Sequence, residues 1–140
     1  MKLTKEEEKR VVDSIQKAEA QTSGEIRVHL KKNIKKSVYE EACETFESLG
    51  MTKTTERNGI LIFLVTSQKQ FSIVGDVGIH QKVGESFWNH IRDAMQDHFK
   101  KGDFAQGLVH GVQKCGEELA KFFPHQENDR NELPDQVTRS

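Results

Sequence analysis

The sequence predicts an α/β fold: a three-layer sandwich in which a small mixed β-sheet is flanked by helices, Rossmann-like in outline only. Three observations predict it. Hydrophobic spacing along the chain alternates between the helical and the strand period. Residues 60–65, Ile-Leu-Ile-Phe-Leu-Val, form an unbroken apolar run of the kind that suits a strand buried on both faces. Ser67-Gln68-Lys69 then turns the chain directly into a second strand pattern, QFSIVG, as a hairpin partner would.

The elements follow in order. Thr4 and Glu7 have capping-box spacing, and Val11, Val12, Ile15 and Ala18 recur with helical period, so a helix is expected over 4–21, ended by Ser23-Gly24. GEIRVHLKK alternates strictly. Ile26, Val28 and Leu30 share one side, while Glu25, Arg27, His29 and Lys31 form a polar row expected to be wet or partly covered. Ser37 and Glu40 repeat the capping-box spacing before a stripe of Tyr39, Ala42, Cys43, Phe46 and Leu49, and Gly50 is placed to close that helix. MTKTTER reads as a polar connector to the buried strand. After QFSIVG, Gly75-Asp76-Val77-Gly78 reads as a turn, and Phe87, Trp88, Ile91, Met95 and Phe99 mark a helix over 84–101. Gly102 stops it and Asp103 can cap the next, along which Phe104, Leu108, Val112, Cys115, Leu119 and Phe122 share a face. The strand–helix–strand unit should cross over with the right hand. One domain is expected over 1–123, with a polar, disordered tail over 124–140.

Composition excludes several function classes. The net charge of -1 over 140 residues gives no footprint for nucleic acid. No apolar stretch approaches the roughly 20 residues a membrane span needs. Glutamates interrupt the N-terminal region where an export signal would be apolar. Cys43 and Cys115 fit neither a CxxC nor a zinc spacing, which suits reduced thiols in a cytoplasmic protein. Neither GxGxxG, GxSxG, HExxH nor a Walker A sequence occurs, so no organic cofactor or covalent nucleophile is indicated.

Acidic residues at element ends are the candidate chemistry. Asp76 follows a strand beside glycines, where open α/β sheets place ligands. Glu85 and Asp103 stand at helix starts. If the three loops converged, their carboxylates and nearby carbonyls would suit a hard divalent cation, with His80 as a neighbour or general acid. Each also has a plain structural explanation: Asp103 as an N-cap, Asp76 as a turn residue, Glu85 as a complement to a helix dipole. His90, Asp93 and Asp97 share a helix face best read as solvated, and His98, His110 and His125 show no ligand spacing. Lys31, Lys32, Lys35 and Lys36 form a cation cluster that would meet an anionic lipid surface or, more simply, water.

Asn58-Gly59 opening an aliphatic strand, Gly75-x-x-Gly78-Ile79 after the next strand, Phe99-Lys100-x-Gly102-Asp103-Phe104, and the Gly107-Leu108 and Gly111-Val112 pairs resemble, in order and spacing, the TPM-domain family. The resemblance covers roughly residues 23–123. It implies a small α/β domain acting as an accessory or quality-control module, divalent-cation binding (calcium above all), and in one branch acid phosphatase activity. This chain departs from the pattern. Arg57 stands where an acidic residue often precedes the Asn-Gly pair, and Glu85 stands where an Asp usually does.

The function expected is therefore a non-catalytic binding module. It would hold Ca or Mg weakly at Asp76, Glu85 and Asp103 and engage a protein partner. The alternatives are a metal-dependent phosphomonoesterase, with Arg57 as the residue able to reach phosphate, and a purely structural interaction domain.

Overall fold

The computed structural model describes residues 2–125 and 137–140. The chain forms α1 (Lys5–Glu19), β1 (Glu25–Lys31), α2 (Val38–Ser48), a short 3-10 turn (Met51–Lys53), β2 (Gly59–Val65), β3 (Gln70–Gly75), α3 (Val77–Lys100), α4 (Phe104–Phe122) and β4 (Val137–Arg139). The strands lie in the order β3-β2-β1-β4. β1 runs parallel to β2 and to β4, and β2 and β3 form an antiparallel hairpin, so the sheet is mixed as the sequence predicts.

Alternation along the two central strands sorts side chains into two cores. Ile26, Val28, Leu30, Ile60, Ile62 and Leu64 point to the side where α1, α3 and α4 pack. Leu61, Phe63 and Val65 point to the other side and meet Ala42 and Phe46 of α2 and Met51 of the turn. All seven residues of β2 are buried, as a strand sandwiched between two helical layers requires. Thr4 and Glu7 make the reciprocal capping box, with Glu7 N–H donating to Thr4 Oγ1 at 3.1 Å and Thr4 N–H to Glu7 Oε1 at 2.9 Å.

Four expectations need correcting. The polar row of β1 is not wet: Glu25, Arg27 and His29 are 3%, 4% and 3% exposed. β1 has a strand on each side, and its polar row lies over Phe63, on which His29 stacks. Met51, in the connector read as polar, is fully buried.

The turn at Asp76 is a helix start. Asp76 accepts from Val77 N–H at 2.8 Å and α3 runs on from Val77, broken only at Gly84, whose φ of 74° and ψ of 177° bend it into two segments. The apolar period marks only the second segment, because the first is a seven-residue stretch with two glycines around its ends.

The C-terminal end is ordered. Val137–Arg139 pair with Val28, His29 and Leu30 as the outermost strand beside β1. Residues 126–136 of the expected tail lie outside the described residues.

Candidate functional site

Asp76 is the residue on which the candidate cation site turned. Its side chain is 4% exposed and is gripped by Arg57, with Nε donating to Oδ2 at 2.6 Å and Nη2 to Oδ1 at 2.8 Å. This fork-on-carboxylate geometry is the strong, bidentate form of ion pair. The carboxylate raises the Arg57 pKa by hydrogen bonding and by charge. Backbone geometry supports the pair. Arg57 takes a positive φ of 52°, and its carbonyl accepts from Gly78 N–H at 2.8 Å. Only glycine fits at 78, since an added Cβ would lie 2.1 Å from the Glu56 carbonyl oxygen and 2.6 Å from that of Arg57.

The other two carboxylates lie elsewhere. Glu85 begins the second segment of α3 and its side chain is 81% exposed, with Oε1 3.9 Å from His80 Nε2. Asp103 follows the end of that segment and caps α4, accepting from Gln106 N–H at 3.2 Å. Sixteen helical residues separate Glu85 from Asp103, about 24 Å along the axis. The structure thus does not bring Asp76, Glu85 and Asp103 together. Among the described residues, no group of three or more His, Cys, Asp or Glu side chains is placed to hold a metal ion. His90, Asp93 and Asp97 are exposed on α3, as a solvated face requires.

A different feature gathers chemistry that sequence reasoning scattered. A groove of about 320 Å³ runs along β3, between the start of α2 and the face of α3. Tyr39 stands at one wall, 61% exposed. His80, Glu85, Trp88, Asn89 and Arg92 make the other, with Phe71–Gly75 as the floor. Trp88 Nε1–H donates to His80 Nδ1 at 3.0 Å. An indole N–H only donates, so Nδ1 is the acceptor nitrogen and neutral His80 carries its proton on Nε2, toward Glu85. The two rings lie nearly parallel, 6.4 Å between centroids. Gly75 permits this close wall, for an added Cβ would lie 2.4 Å from the indole.

The floor has an open edge. Asp76 N–H donates to the Gly59 carbonyl at 2.9 Å, which fixes the alternation of the hairpin ladder. Gln70, Ser72 and Val74 therefore bond to β2, and the backbone groups of Phe71, Ile73 and Gly75 face outward. Among the described residues no strand pairs with that edge. The sequence marked the hairpin but not which of its strands lies at the edge, which the strand order alone settles.

Comparison with known proteins agrees with the resemblance read from the motifs. The family model of the TPM domain matches residues 2–118. Among solved structures, the BA42 protein of the psychrophilic bacterium Bizionia argentinensis is 46% identical, with a TM-score of 0.93 over 100% of this chain and 97% of that one. The N-terminal domain of a P. gingivalis protein has a TM-score of 0.71 at 20% identity, covering 89% of this chain and 83% of that one. The N-terminal domain of a Corynebacterium glutamicum protein reaches 0.66 at 10% identity, covering 99% and 82%. At such identities the last two show the fold alone. A comparison with curated proteins finds no match. No helix among the described residues is long and apolar enough to cross a membrane.

Proposed function

This chain belongs to the TPM-domain family, and from that premise we propose that it is a non-catalytic accessory module that binds an extended segment of a partner protein along the groove at β3. The carrying observation is the outward-facing backbone of Phe71, Ile73 and Gly75 beside a groove walled by Tyr39, His80, Trp88 and Arg92. Strand addition uses just these parts: main-chain hydrogen bonds for affinity and a flanking trough for alternate side chains. Proteins that do not use an edge strand usually guard it with lysine, proline or a bulge. Gln70–Gly75 contains no charge and no proline.

The Arg57–Asp76 pair weighs against a cation at Asp76, part of the expected function, and against the phosphomonoesterase alternative. A cation at Asp76 has to displace a bidentate guanidinium, and a phosphate has to take Arg57 from its carboxylate. His80 is engaged by Trp88 and stands in the groove wall, where it recognises rather than reacts. A cytoplasmic setting fits the two free cysteines.

The test is a random peptide library displayed against the folded domain. Selected peptides should protect the Phe71, Ile73 and Gly75 amides from hydrogen exchange, and N-methylation at alternate peptide positions should abolish binding. Ligands that map to other surfaces, or that tolerate N-methylation throughout, would remove the proposal.

A further inference from the structure

His98 and His110 lie twelve residues apart in sequence and on different helices, so no ligand spacing marks them. The fold puts them side by side: their ring centroids are 5.5 Å apart, with the ring planes tilted by 48°. Two imidazoles that each place a metal about 2 Å from a ring nitrogen have centroids roughly 5 Å apart, so the observed separation is close to that of a shared ion. Among the described residues neither ring takes part in a side-chain hydrogen bond. Both residues are half-buried, so the rings keep an open side for water ligands.

Two features make this pair a prepared site. The first is the rigidity of the joint between α3 and α4. Gly107, one turn before His110, lets α3 approach so closely that an added Cβ would lie 2.4 Å from the Phe99 ring and 3.2 Å from His98 Cβ. Helices locked at that distance hold the rings in register. The second is the charge around the rings: Glu117, two turns on from His110 along the same face of α4, is paired with Lys114 at 3.4 Å, so this face presents no net positive charge to repel a cation.

We propose that His98 and His110 form a cross-helix site for a borderline divalent transition-metal ion, of the zinc, nickel or copper type, with water completing the coordination. Imidazole nitrogen suits these ions, and oxygen-seeking calcium and magnesium do not compete for it. The ion bridges α3 to α4 and stabilises the folded state by mass action. The site is independent of the groove at β3 and of any partner bound there.

Zinc chloride is titrated into the untagged chain at neutral pH while the imidazole ring protons are followed by NMR. The His98 and His110 signals should move together, calcium should leave them still, and the melting temperature should rise with zinc. His98→Gln and His110→Gln should each weaken zinc binding by at least about tenfold, as loss of one of two ligands exceeds the effect of losing a supporting residue. Both variants alter half-buried side chains at a helix joint, so their unchanged far-UV spectra are checked first. The wild-type ring signals carry the test in any case. If millimolar zinc leaves both rings unmoved, or binds equally well to the two variants, the site does not exist.

Discussion

Arg57 and Asp76 hold each other by both nitrogens and both oxygens, at 2.6 and 2.8 Å, across the gap between the loop entering β2 and the start of α3. The carboxylate is nearly sealed, while the guanidinium side chain keeps 45% of its exposure. A protein-borne cation thus sits where a free cation would have to bind. In wild type, calcium or magnesium at millimolar concentration should leave the amide signals of Gly75 to Gly78 unmoved. Arg57→Ala exposes the carboxylate and should make those signals respond. A wild-type response as large as that of the variant would show that the pair yields easily to metal.

Gly78 is the joint on which that pair is seated. Its amide meets the Arg57 carbonyl at 2.8 Å, and the contacts that an added Cβ would make are to backbone oxygens, which cannot rotate away. Gly78→Ala must therefore push the Arg57 loop outward. We expect a loss of stability in the range of overpacked sites, about 1–3 kcal/mol, measured by urea denaturation. The Arg57–Asp76 pair should open with it, seen as a shift of the Arg57 Nε signal. Wild-type stability would mean the loop is free to move.

Gly84 is required for a different reason. An added Cβ there would touch nothing, yet φ of 74° with ψ near 180° is a region other residues avoid. Gly84→Ala should cost about 1–3 kcal/mol through the backbone alone, or straighten α3. In the second case Trp88 fluorescence changes, since the bend sets Trp88 against His80. No change in either stability or fluorescence would show that the bend is not imposed by this residue.

The two cysteines should differ sharply in reactivity. Burial pushes the Cys115 thiol up to about 12, and the side chain is fully enclosed. Cys43 is half-buried on α2. A thiol reagent should label Cys43 in the native protein and Cys115 only on unfolding. Equal native labelling rates would show that α4 opens far more readily than its packing implies.

Much of the fold was legible because its signals are local. Capping boxes, the two strand periods and the apolar run 60–65 each report on a few neighbouring residues, and each element they mark is present. What was misread depends on distant partners. Glu25, Arg27 and His29 look like a wet row until β4 and Phe63 are placed beside them. Asp76 looks like a turn residue or a ligand until Arg57, nineteen positions earlier, closes on it. The three acidic residues each lie at an element end, as read, but one helix keeps two of them at its opposite ends. The family motifs turn out to be contacts in part: Asn58 reaches Ser23 Oγ at 3.3 Å, and Gly75 and Gly78 clear space for Trp88 and the Arg57 loop.

His29 makes the attachment of the C-terminal strand depend on pH. Its ring lies between Thr138 Oγ1, 2.6 Å from Nδ1, and Ser140 Oγ, 2.7 Å from Nε2. The Thr138 hydroxyl also points at the Val28 carbonyl, 3.4 Å away, so its oxygen is left to accept from Nδ1–H, and Ser140 donates to Nε2. Burial, then Lys31 and Arg27, lower the ring's pKa from 6.5 to about 4. The native pKa lies below that of the unfolded chain, so the unfolded state takes up the proton first as pH falls. The stabilisation is whole above about pH 6.5 and is lost progressively down to about pH 4, with a ceiling of roughly 3 kcal/mol. Urea denaturation across that window should show a steeper decline for wild type than for His29→Gln, the difference approaching one proton. Because β4 is only three residues long, its amides should exchange first as the ring becomes charged. Equal pH slopes for the two proteins would mean that the proton is accommodated in the native state, by turning the Ser140 hydroxyl to accept from a doubly protonated ring.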